Sequence, residues 1–151
     1  MDDQVPPGDP EGEPRSEPQG EPARADPAPG DPESAYELLQ RGQALLAQRH
    51  HAQAAVVLAR AAALEPGRGS ILEPLGRACF MSGQLDRAVE TFEALLAVDP
   101  SSHYGHYALG RALVRLGRVS EGRTHLRLAV ALAPDSRLYR GALDRLGDRS
   151  A

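Results

Sequence analysis

The 151-residue sequence has no tryptophan, no lysine and a single cysteine, Cys79. With no second cysteine, neither an intrachain disulfide nor a cysteine-built zinc site is possible, which fits a reducing, cytoplasmic setting. No apolar run approaches the ~18 residues that a membrane helix needs, and the opening MDDQVPPGDP lacks the basic region and apolar segment of a secretory signal. A soluble, non-secreted protein without membrane association is expected. Also missing are a G-x-S-x-G elbow, a G-x-x-x-x-G-K phosphate loop and an H-E-x-x-H zinc motif. The expectation is therefore a protein that is not an enzyme, with no catalytic residues and no cofactor. All 17 basic residues are arginine, which mainly reflects a composition bias.

What is present divides sharply near Ser34. Residues 1–33 hold nine of the 13 prolines, and Val5 is their only branched aliphatic residue. Prolines at three- to five-residue spacing forbid a helix, and so little apolar surface cannot offset the entropy of ordering the chain. A disordered, extended arm is expected there. It carries ten acidic residues against Arg15 and Arg24, a net charge of −8, which leaves +4 for the remainder of a chain whose total is −4. An acidic segment tethered to a basic domain could mask it; a merely solubilising tail is the plainer reading.

Residues 34–151 carry a repeat. Pro66, Pro100 and Pro134 are separated by 34 residues, as are Gly42, Gly76 and Gly110, then Leu45, Cys79 and Leu113, then Ala54, Ala88 and Gly122, then Leu58, Phe92 and Leu126. Within each unit the apolar residues recur at three- and four-residue steps, so each unit reads as two amphipathic helices closed by a proline. Helices are expected over 35–48, 51–64, 71–82, 85–98, 103–116 and 119–133. Ser34 with Glu37 and Ser70 with Glu73 have the spacing of capping boxes, and Pro74 hints at a late or bent start for the third helix. A closing helix over about 136–147 has Leu138, Tyr139, Ala142, Leu143 and Leu146 on one stripe, which would cover the bare face of the last unit.

These residues resemble the tetratricopeptide repeat family, most clearly in LGRACFMSGQLDRAVETFEALLAVDP and LGRALVRLGRVSEGRTHLRLAVALAP. The fold expected is all-α: an α-solenoid of three helix-turn-helix repeats (about 35–68, 69–102 and 103–136) with a capping helix. The family's usual aromatic in the first helix is replaced by Leu38, Leu72 and His106. The resemblance implies a superhelix whose first helices line a concave groove for an extended peptide or a partner helix, and a role as an interaction scaffold. In that register Tyr36, Leu39, Gln43, Arg77, Phe80, Met81, Tyr104, Tyr107, Arg111 and Arg115 fall on the groove. Tyr and Arg anchor interfaces, so the expected partner is a protein or peptide with acidic and apolar residues. The plainer alternative leaves the arginines solvated and packs the tyrosines on the neighbouring unit. Relatives that grip the carboxylate end of chaperone tails use Lys, Asn and Arg at positions held here by Leu39, Gln43, Pro74, Tyr104 and Ala108, so that mode is not expected.

Other functions fit the same residues less well. A subunit that docks through its convex face or capping helix is the alternative to groove binding. RNA binding is disfavoured because +4 is spread over the repeats and interrupted by Glu65, Glu73, Glu90 and Glu93. Cys79 sits at a repeat core position and reads as an inert thiol. His103 and His106 stand at i, i+3, a spacing that could share a metal, but no third ligand is near and no metal site is expected. Oligomeric state is left open.

Overall fold

The computed structural model describes residues 32–147. All but the last two residues of the expected arm, 1–33, lie outside that range. Among the described residues there are seven helices and no strands: α1 Ala35–Ala47, α2 His51–Leu64, α3 Gly69–Met81, α4 Leu85–Val98, α5 His103–Arg115, α6 Val119–Leu132 and α7 Arg137–Arg145. They form three helical hairpins, α1–α2, α3–α4 and α5–α6, with α7 laid against the last. Each helix packs on its neighbours in the chain, and α3 also touches both α1 and α5.

The 34-residue step of the sequence is a step of the backbone. Gly42, Gly76 and Gly110 stand in one environment: a Cβ on each would meet Leu58 at 2.4 Å, Phe92 at 2.5 Å and Leu126 at 2.8 Å, which are themselves 34 residues apart. Only a residue without a side chain lets the two helices of each hairpin come this close.

The turns repeat as well. Each first helix ends in a Schellman arrangement, with His50, Gln84 and Arg118 donating their backbone N–H to Leu45, Cys79 and Leu113. The residue that must take positive φ is Arg49, Gly83 or Gly117, at 63°, 81° and 86°. Each second helix is followed by Glu65, Asp99 or Ala133 in non-helical backbone with ψ of 79°, 82° and 73°. These three precede Pro66, Pro100 and Pro134, and a residue before proline is pushed out of the helical region.

The start of α3 departs from the sequence expectation. It begins at Gly69, and the carbonyl of Arg68 accepts from Ile71 and Leu72 at 3.0 and 2.9 Å, so Arg68 is the cap and the Ser70–Glu73 box is not used. The helix thus starts early rather than late, and Pro74 sits inside it. The first-helix caps are Ser34, Arg68, Ser102 and Ser136, again 34 apart; all but Arg68 accept a backbone N–H on the hydroxyl, at 3.1, 3.0 and 3.2 Å.

The core is aliphatic at one end and aromatic at the other. Leu38, Val57 and Ala61 of the first hairpin pack together with Ile71 of α3, while Tyr107, Leu126, Ala129, Tyr139 and Ala142 join the third hairpin to α7. Cys79 lies fully buried between them, and burial raises its thiol pKa, which suits packing rather than nucleophilic chemistry.

Candidate functional site

A cavity of about 440 Å³ opens on the side where α1, α3 and α5 stand in a row. Arg77, Phe80 and Met81 from α3 and Tyr104, Tyr107, Ala108 and Arg111 from α5 form its walls, with Leu46, His51, Phe92 and Leu138 at the edges and floor. Six of the ten expected groove residues therefore converge on one cavity. Arg115 adjoins it, with its guanidinium 5.1 Å from the centre of the Phe80 ring. Tyr36, Leu39 and Gln43 belong to α1 and do not line the cavity. Tyr36 is exposed and its hydroxyl accepts from the side-chain amide of Gln40 at 2.8 Å, whereas Leu39 packs against the core.

Arg111 and Arg115 are held by aromatic rings. Arg111 lies 4.9 Å from the Phe80 centre and 5.6 Å from that of Tyr107, whose hydroxyl accepts from it at 3.3 Å. Such contacts fix a guanidinium while leaving its charge exposed. Arg77, Arg111 and Arg115 make no ion pair with a described residue; the ion pairs present are Arg41–Glu33, Arg68–Glu65 and Arg118–Glu121. Tyr104 meets Phe92 edge-on at 6.3 Å, and burial, opposed in part by Arg77, pushes its phenol up to about 12. It stays neutral at any physiological pH.

Two residues take roles other than those read from the sequence. Tyr107 is only 6 % exposed and stacks on Tyr139 of α7 at 4.8 Å, so it serves mainly as the packing residue of the plainer reading. Leu138 is 54 % exposed and borders the cavity, while its stripe-mates Tyr139 and Ala142 are buried and Leu143 and Leu146 half-buried. A nine-residue helix turns Leu138 away from Tyr139 by one residue's rotation, which carries it from the seam to the cavity edge. The two histidines at i, i+3 point apart: His103 bonds the Tyr139 hydroxyl at 2.7 Å and His106 turns toward α6. No group of three or more metal-ligating side chains occurs among the described residues. His51 and Phe92 were missed because both belong to second helices, which the resemblance assigns to the outer layer. Nor is any helix among these residues long and apolar enough to cross a membrane.

Two sequence models of the tetratricopeptide repeat match residues 45–106 and 82–137, overlapping across α4 and the start of α5 and covering most of the helical region. The chain belongs to the tetratricopeptide repeat family. Solved tetratricopeptide structures superpose well at low identity, which establishes the fold. MamA from Desulfovibrio magneticus RS-1 has a TM-score of 0.72 at 24% identity, covering 75% of this chain and 64% of its own. The first repeat domain of Spaghetti (RPAP3), bound to the HSP90 peptide SRMEEVD, has a TM-score of 0.71 at 16% identity over 77% of this chain and 92% of that one. YrrB, described as having an unusual peptide-binding site, has a TM-score of 0.71 at 22% identity over 74% of this chain and 57% of its own. This chain thus spans less than two thirds of the MamA and YrrB chains. No curated protein sequence is significantly similar to it.

Proposed function

We propose that this tetratricopeptide repeat chain is a non-catalytic interaction scaffold whose α1–α3–α5 face binds a peptide segment or helix of a partner protein. The observation that carries the reading is the pairing of three arginines, free of ion pairs with described residues, with an aromatic-lined cavity of about 440 Å³. A partner carboxylate beside Arg77 and Arg111 replaces water around two charges, that of Arg111 already held in place, and an apolar partner side chain over Phe80, Tyr104 and Met81 removes exposed apolar surface. The peptide bound to the RPAP3 domain supports the general mode. Its terminal-carboxylate variant is disfavoured, because Leu39, Gln43, Pro74, Tyr104 and Ala108 stand where that chemistry calls for polar and basic groups.

A second reading has its own observation. Leu64, Val98 and Leu132 end the three second helices at the same 34-residue step and remain 58 %, 51 % and 44 % exposed. That row favours docking of a larger assembly from the opposite side of the hairpins.

Arg77→Glu with Arg111→Glu separates the two. After circular dichroism shows unchanged helicity, affinity purification and mass spectrometry of co-purifying proteins should show groove partners weakened at least about tenfold by charge reversal. Partners retained at full level would point to the second reading.

A further inference from the structure

The third hairpin has two histidines where the first has hydrocarbon. His106 holds the repeat position of Leu38 and Leu72, and His125 holds that of Val57 and Thr91. Leu38 and Val57 are buried together in the first hairpin. In the third, Nδ1 of His106 lies 3.0 Å from Nδ1 of His125, and Nε2 of His106 lies 2.9 Å from the carbonyl oxygen of Pro100.

The protons on this pair follow from its neighbours. A carbonyl only accepts, so Nε2 of His106 carries hydrogen and donates to Pro100. In the neutral ring Nδ1 then holds the lone pair, and the hydrogen between the two rings belongs to Nδ1 of His125. The ring centres are 5.3 Å apart and the planes differ by 20°. With the nitrogens 3.0 Å apart, what remains of that separation is taken up by the two ring radii. The rings therefore meet edge to edge, nearly coplanar, with the two nitrogens on the line between their centres. That is the geometry of a straight N–H···N bond. It does not suit a metal ion, which needs both lone pairs to converge on it from about 2 Å each.

We propose that His106 and His125 form a proton-operated latch between α5 and α6, which stays closed with one added proton and opens with the second. The first added proton goes to the one unused lone pair, Nε2 of His125, and leaves both hydrogen bonds intact. A second has only Nδ1 of His106, where it would set N–H against N–H between two imidazolium charges 3.0 Å apart. Because α5 also carries Tyr104, Tyr107 and Arg111, opening the latch loosens one wall of the cavity. The latch itself does not depend on whether the cavity binds a partner.

The groups that act on His125 are His106 from α5, Glu93 from α4 and Glu121 from its own helix. Burial first, and then His106, lower its pKa, and the two carboxylates only partly offset them. A histidine with a lowered folded pKa binds its proton more readily when the chain is unfolded. The stability it confers is complete above the ordinary histidine value of about 6.5 and is lost as pH falls below it.

The test uses the full chain. Imidazole ¹H–¹⁵N correlation spectra should find His106 as the Nε2–H tautomer near neutral pH, and the pair should take up its protons in two separate steps. The melting temperature should fall by several degrees between about pH 7 and about pH 5, and near-ultraviolet tyrosine dichroism should fall only with the second of the two proton steps. His125→Gln keeps an N–H donor for His106 but cannot titrate, and should remove at least half of that fall; His103→Gln should leave it in place. An Nδ1–H tautomer of His106, simultaneous protonation of both rings, or an undiminished acid loss in His125→Gln would each overturn the proposal. If His125→Gln does not fold, the spectra of the unaltered chain decide alone.

Discussion

In the first hairpin Gly42 stands against the side chain of Leu58, Ala54 faces the neighbouring helix, and the turn residue is Arg49; in the third, Gly110 stands against Leu126 and also against the carbonyl of Gly122, and the turn residue is Gly117. One frame is thus filled with two kinds of chemistry. The first hairpin is closed by Leu38, Val57 and Ala61, with Ile71 of α3 against them, contacts without direction. The third brings α5 and α6 close enough for backbone contact and adds directional groups: the His106–His125 bond, the Tyr107–Tyr139 stack and the Tyr139–His103 bond. Aliphatic packing tolerates small shifts, whereas hydrogen-bonded rings do not. It is the directional hairpin that carries Arg111 and Arg115, and this is where a preformed charge is most useful.

Mutations should break this contrast unequally. Tyr139→Ala removes the ring that joins α7 to α5 and should cost about 4 kcal/mol, with faster amide hydrogen exchange in α5 and α6 than in α1 and α2. Uniform acceleration along the chain would mean that the hairpins behave as one cooperative unit. Gly122→Ala makes the third hairpin resemble the first two in sequence, yet its Cβ would lie 2.7 Å from the Gly110 carbonyl oxygen and 2.6 Å from Val114. It should cost about 2 kcal/mol by denaturant titration, because the obstacle includes backbone. Tyr139→Phe keeps the stack and loses only the bond to His103, about 1 kcal/mol. Arg49→Gly should act in the opposite sense. It relieves a side chain held at φ 63° and gives the first hairpin the turn residue of the other two, for a gain of about 0.5 kcal/mol in chemical denaturation.

The frame was legible in the sequence because its markers act locally. Proline restricts the residue before it, and glycine at a fixed step answers a steric need that recurs at each hairpin. The start of α3 departs from the local sequence pattern for an instructive reason. A local capping pattern at Ser70 competed with the 34-residue step, which places caps at 34, 68, 102 and 136, and the step prevailed. The site was only partly legible. Arg77, Phe80, Met81, Tyr104 and Arg111 follow from register alone, but the depth of Tyr107 and the position of Leu138 depend on how α7 docks. His106 and His125 are 19 residues apart, and no short spacing shows that they touch.

The turns have a consequence for how such a chain grows. Each hairpin receives the chain at a cap, reverses it through a positive-φ residue and hands it on through a non-helical residue before a proline, with nearly the same angles each time. Duplicating the stretch from Arg68 to Ser101 in tandem should therefore add a fourth module without any new connector, so length is open to change by simple gene copying while the two ends keep their own specialisations.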